Sequence, residues 1–120
     1  MAFPMKSMLE SGIIMTGGSD YPVETYDPIT GMYVAVTRQD LNGYPKDGFV
    51  PEEKLSVYDA LCMYTKNVLY ATGQEDLLGT LKEGKFADLA VLDRDPFHIP
   101  ENDLKNIRES RCNFTFNFHV

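Results

Sequence analysis

Positive charge is scarce in this 120-residue sequence: Lys and Arg number 11 against 18 Asp and Glu, for a net charge of -7. No run of Lys or Arg and no basic stripe interleaved with aromatics occurs, so a nucleic-acid partner is not expected. Long apolar runs are missing too. No stretch reaches bilayer-spanning length, and Glu10 interrupts the apolar N-terminus too early for a secretory leader. The expectation is a cytoplasmic chain with no membrane partner. Cysteine is limited to Cys62 and Cys112, far apart, which reads as two reduced thiols and not as a disulfide framework. Histidine is limited to His98 and His119, neither with a clustered partner; His98, in Phe97-His-Ile-Pro100, reads as a surface residue in a turn. Repeats and low-complexity segments are absent. With 43% apolar and 24% charged residues the composition is that of a folded domain, not of a disordered tail. A chain this long buries roughly two-thirds of its unfolded surface.

What is present is the stretch Ser11-Gly-Ile-Ile-Met-Thr-Gly-Gly-Ser-Asp20-Tyr-Pro-Val23. Ile13, Ile14 and Met15 form a short apolar run closed by Gly17-Gly18, the pattern of a buried strand ending in a tight loop. Asp20 then stands beyond the carboxyl end of that strand, where ligands and chemistry gather in α/β proteins. Ser19-Asp20 ahead of Pro22 is also ordinary turn composition, and the residues alone leave both readings open. The small residues Gly17, Gly18 and Ser19 would let the backbone approach a ligand. Gly17-Gly18 is nonetheless a poor phosphate loop, because no Lys-Ser/Thr follows and no helix begins at once.

Upstream, Met5, Met8 and Leu9 predict a short amphipathic helix over residues 3–9 that feeds the strand. A helix running into a strand with no earlier strand is half of a βα unit, so the chain is expected to begin inside a larger fold. Downstream, Asp27-Pro28 is a helix start, with Asp27 as N-cap and Pro28 at the first helical position. Ile29, Met32, Tyr33 and Val36 share its apolar face, and it should end near Arg38. There a cation suits the helix dipole, in a segment that could also line a pocket. Residues 40–48 are turn-rich, with tight points at Asn42-Gly43 and Asp47-Gly48. Ser56 with Asp59 comes close to a capping box, ahead of the apolar face Val57, Ala60, Leu61 and Tyr64. A second helical segment runs from Thr65 through Val68, Leu69 and Ala71 and closes at Gly73. The scattered methionines read as core filler.

From Leu77 the period changes. Leu78-Gly-Thr-Leu81 reads as a strand, Lys82-Glu-Gly-Lys85 as a hairpin turn and Leu89-Ala-Val-Leu92 as a buried strand. Asp95-Pro96 ends it, Pro100 opens a helical turn through Leu104, and Asn106-Ile107 could start another strand. Asp88, Asp93, Arg94 and Asp95 look like strand-edge charges rather than a carboxylate pair. Cys112, Phe114, Phe116, Phe118 and Val120 alternate with polar residues, a half-buried strand pattern that needs a sheet, a partner chain or a copy of itself.

Two of these stretches together resemble the C-terminal end of the amidohydrolase superfamily, in its amidohydrolase-3-like branch. Gly17-Gly-Ser-Asp-Tyr-Pro-Val23 is similar to the segment closing the last barrel strand there. Ala87-Asp-Leu-Ala-Val-Leu-Asp93 is similar to a strand of the small β domain that follows the barrel. The resemblance covers about residues 4–107. It implies an α/β fragment: the last strand and helices of a TIM-like barrel over residues 1–73, then part of a small β-sandwich domain over residues 74–120. It also implies the C-terminal portion of a metal-dependent hydrolase acting on carbon–nitrogen bonds other than peptide bonds. In such an enzyme the acid matching Asp20 binds a divalent metal, expected to be zinc, and moves a proton from the metal-bound water to the leaving group. A carboxylate suits both tasks, being a hard anionic ligand with a second oxygen that can act as a base. Asp20 is therefore the expected catalytic and metal residue of a complete homologue.

The sequence departs from the family in what it omits. The family's His-x-His pair, its middle-strand Lys or Glu and its two further histidines have no counterpart here, and a whole barrel takes about 250 residues. Catalytic zinc normally has three protein ligands, more than one carboxylate provides. The isolated chain is therefore expected to hold no cofactor and to be inert, as part of a truncated or excised hydrolase. The alternative is a stand-alone binding, regulatory or dimerisation module derived from that fold. It would form a homodimer through uncovered apolar faces or the Phe-rich C-terminal strand.

Overall fold

Helix packing is organised around one ten-residue helix, α2, in a computed structural model that describes residues 3–113. In chain order the elements are α1 (Met5–Glu10), α2 (Pro28–Thr37), α3 (Val57–Met63), α4 (Lys66–Ala71), β1 (Leu89–Leu92) and β2 (Glu109–Asn113). Two 3-10 turns, Pro51–Glu53 and Glu101–Asn106, lie between them. The result is a small mixed α/β fold with a two-stranded sheet. No helix among the described residues is long and apolar enough to cross a membrane.

Helix α2 begins where the sequence places it. Asp27 Oδ1 accepts from the Ile29 amide at 2.9 Å and Oδ2 from the Thr30 hydroxyl at 3.1 Å, satisfying donors that a first helical turn leaves open. The helix ends at Arg38, in the left-handed region at φ 58°. Met32, Tyr33, Ala35 and Val36 are buried along it, in one cluster with Leu55, Ala60, Met63, Leu104 and Ile107. Each of the larger side chains contributes about 1.5–3 kcal/mol by leaving water, which makes this cluster the main source of stability.

Helix α3 starts on the reciprocal cap read from Ser56 and Asp59. The Ser56 oxygen accepts from the Asp59 amide at 3.1 Å, and its hydroxyl donates to Asp59 Oδ2 at 2.6 Å. Helix α4 closes on Gly73 at φ 68°. There the Gln74 amide reaches back to the Leu69 carbonyl at 2.8 Å and the Gly73 amide to that of Tyr70 at 3.2 Å. That pair of bonds is a Schellman closure, and glycine fits it because the position is left-handed.

The strand readings fare differently. β1 and β2 pair antiparallel, Leu89 opposite Asn113 and Ala90 opposite Cys112, with an irregularity between Val91 and Leu92. β1 is not buried as expected: Leu89 and Leu92 are half-buried, while Ala90 and Val91 face solvent. A two-stranded ribbon with no layer over it covers little of itself. Residues 78–80 form bends and Leu81 no regular structure, instead of a strand, and Leu81 is exposed. They are held by the Phe86 amide on the Leu77 carbonyl, at 2.9 Å, and by Lys85 Nζ on the Glu75 and Leu78 carbonyls. The expected strand at residues 13–15 is likewise absent: the backbone there forms no ladder, and Ile13 and Ile14 are 47% and 51% exposed. The last two corrections have one cause. A strand exists only with a partner, and none lies beside residues 13–15 or 78–81 among the described residues. The alternating tail from Phe114 onward lies outside the described residues.

Candidate functional site

Asp20 is exposed and stands at the outer end of a segment that leaves α1, turns at Gly12 and runs along the surface. Its backbone is left-handed at φ 51°, a region that aspartate tolerates better than most side chains. Its carbonyl accepts from the Val23 amide at 2.9 Å, closing a turn that holds the carboxylate outward. The loop beyond is apolar and open: Tyr21, Val23 and Tyr26 are all exposed, with the two rings edge to face at 5.9 Å.

Helix α1 and the segment that leads from it to Asp20 are fastened from behind at several points. Glu53 is 5% exposed, and its carboxylate accepts from the Ser7 amide at 2.9 Å and from the Ser7 hydroxyl. Those bonds, the Ser7 hydroxyl first, with Arg38 assisting, hold the Glu53 carboxyl below the usual carboxylate range. Arg38 itself is buried. Its Nε donates to the Phe49 carbonyl at 2.9 Å and its Nη1 to that of Phe3 at 3.3 Å, so it ties loops together behind the helix end. Further along, Asn67 Nδ2 donates to the Met15 carbonyl at 2.9 Å, and the Gly17 amide donates to the Met63 carbonyl at 2.9 Å.

Gly17 has a different use from the one its sequence context suggests. A methyl group there would stand 2.5 Å from Cζ of Tyr64, so the missing side chain admits the tyrosine ring and not a ligand. Gly31 on α2 is under the same restriction, since a methyl group would overlap the Tyr64 hydroxyl. Burial, with the Asp27 charge adding to it, pushes the Tyr64 phenol above its ordinary value.

His98 is exposed and joins Asp95 at 2.6 Å within its own turn. The Phe97 amide, then His98, lower the Asp95 carboxyl. Among the described residues no three His, Cys, Asp or Glu side chains come together as a metal site. Two surface hollows lie elsewhere, one between Thr37, Lys46 and Glu101, the other between Lys6, Leu9 and Asp59, and Asp20 lines neither. Sequence reasoning missed Glu53 and Asn67, and placed Tyr64 only on the apolar face of α3, where it does pack against the core. Their partners are 46 residues away for Glu53 and 52 for Asn67, beyond any local pattern.

A sequence model described as the amidohydrolase family matches residues 1–115. The chain is 38% identical over 109 residues to the N-substituted formamide deformylase of Arthrobacter pascens, covering 91% of this chain and 20% of that protein. It is 37% identical over 98 residues to YtcJ of Bacillus subtilis (strain 168), which carries an amidohydrolase name, covering 82% and 18%. It is 31% identical over 93 residues to the protein LONG AFTER FAR-RED 3 of Arabidopsis thaliana, covering 76% and 15%. No solved structure matches it. The chain thus spans about a fifth or less of the length of these relatives. The match runs through both stretches that the sequence singled out, Gly17 to Val23 and Ala87 to Asp93, and on it this chain belongs to the amidohydrolase family.

Proposed function

We propose that this chain is the C-terminal, acid-bearing part of a hydrolase that cleaves carbon–nitrogen bonds other than peptide bonds, with Asp20 as its one contribution to the reacting centre. The observation that carries the reading is the family match across residues 1–115, which includes Asp20 and the segment around it. In this reading residues 1–73 supply the last strand and closing helices of a barrel, and residues 74–120 part of a β domain. The exposed Ile13 and Ile14 are then the face that the rest of the barrel covers. The N-substituted formamide named for the Arthrobacter relative is the substrate class to try first.

The amidohydrolase family is generally metal-dependent. The described residues do not fit a metal by themselves: one exposed carboxylate is short of the three protein ligands a catalytic ion normally takes. The chain alone is therefore expected to be inert. Asp20 would join ligands from other segments, zinc being the ion expected, and its free oxygen would accept and return a proton during cleavage.

The test is an exchange of residues 1–115 for the matching stretch of the Arthrobacter pascens deformylase. The exchanged enzyme should hydrolyse N-substituted formamides, and Asp20→Asn within it should lower kcat about a thousandfold. An Asp20→Asn enzyme that keeps its rate sinks the proposal.

A second reading draws on the open apolar strip at Ile13, Ile14, Tyr21, Val23 and Tyr26. Exposed patches of this kind mark interfaces, and a stand-alone module would dimerise through it. Light scattering on the purified chain decides. A dimer mass that Ile14→Lys returns to monomer supports the module, and a monomer at all concentrations removes it.

A further inference from the structure

We infer that Asn67 and Tyr64 are positioning residues for Asp20, acting through the backbone of residues 15–17. The inference rests on the role proposed for Asp20 above. A strand in a sheet is held in place by its neighbours, but residues 13–19 form no ladder among the described residues, and their polar backbone groups turn elsewhere. Two of those groups find partners at the junction of α3 and α4. The Met15 carbonyl takes the Asn67 amide at 2.9 Å, and the Gly17 amide gives to the Met63 carbonyl at 2.9 Å. The two bonds bracket Thr16 and allow the segment neither to slide nor to roll.

Tyr64 completes the clasp. It is the C-terminal cap residue of α3, and the end of its ring lies between the Gly17 backbone and Gly31 of α2. Neither glycine has a left-handed φ, so space and not backbone conformation requires glycine at both. The ring therefore sets the distance between the Asp20 segment and the central helix. Met63 and Ala60 of the same helix are buried in the core, which makes the clasp a rigid base. Asp20 stands three residues past the clasped glycine, and small misplacements of a reacting group cost rate steeply.

Asn67→Asp is the informative substitution, because it keeps the shape and replaces the donor with an acceptor facing the Met15 carbonyl. Amide hydrogen exchange on the full chain should show protection at Gly17 falling about tenfold, with Val36 in α2 unchanged as the report of an intact fold. In the exchanged deformylase the same substitution should lower kcat about tenfold with KM unchanged. Gly17→Ala should lower protection of the amide at position 17 in the parent chain but not when combined with Tyr64→Ala, because the overlap then has no second party. Unchanged Gly17 protection in Asn67→Asp overturns the clasp. Lost protection with kcat intact overturns its positioning role and leaves the Asp20 proposal standing. If Asp20→Asn is instead the silent variant, the proposed function fails while hydrogen exchange still decides whether the clasp exists.

Discussion

Helices α2 and α3 and the segment at residues 13–20 sit side by side, yet they obey different rules. Each helix closes its own hydrogen bonds, caps itself with Asp27 or Ser56, and turns one apolar face onto Leu55, Leu104 and Ile107. The segment closes almost none of its own bonds. It borrows partners from Asn67 and Met63 and leaves Ile13 and Ile14 in solvent. A stretch that is self-sufficient in hydrogen bonding folds wherever its pattern occurs, whereas a strand-like stretch takes the form its neighbours permit.

That contrast can be broken or sharpened by substitution on either side of it. The largest effect is expected in the helical core, where Leu104→Ala removes a fully buried side chain packed on α2 and should cost about 2–5 kcal/mol. Urea unfolding of the chain measures it, and a loss below about 1 kcal/mol would mean that the core closes over the cavity. Next comes the cap: Asp27→Ala should cost about 1 kcal/mol and fray α2 from its first turn, visible as faster amide exchange at Ile29.

Acid should loosen the fastening of α1. The Glu53 carboxyl is lowered in the fold, chiefly by the Ser7 hydroxyl and amide. Its contribution is fully present above its ordinary value of 4.5 and is lost as pH falls through the lower folded value. Thermal melts between neutral and acid pH should therefore show Glu53→Gln less stable at neutral pH, with the gap closing towards acid. A gap of constant size would show that the charge is not what fastens α1. The smallest effect is expected in the segment itself, where Ile14→Thr should change stability by less than about 0.5 kcal/mol, since Ile14 is already 51% exposed. A larger loss would mean that Ile14 packs on a surface, as the dimer reading requires.

The α2 boundaries, its N-cap, its buried face and its end at Arg38 were all legible, as were the Ser56–Asp59 pair and the closure at Gly73. Each depends on residues within one or two turns of one another, where spacing along the chain is spacing in space. Also legible was the family, because it is a matter of residue order. Three things were decided only by the tertiary structure. Residues 13–15 and 78–81 form no strands, Gly17 makes room for Tyr64 instead of a ligand, and the acid-bearing segment is held by Asn67 and Met63, with α1 before it held by Glu53. The physical reason is common to all three. Pairing, close approach and long-range hydrogen bonds join residues far apart along the chain, and local periodicity contains no record of which distant backbone will be the neighbour.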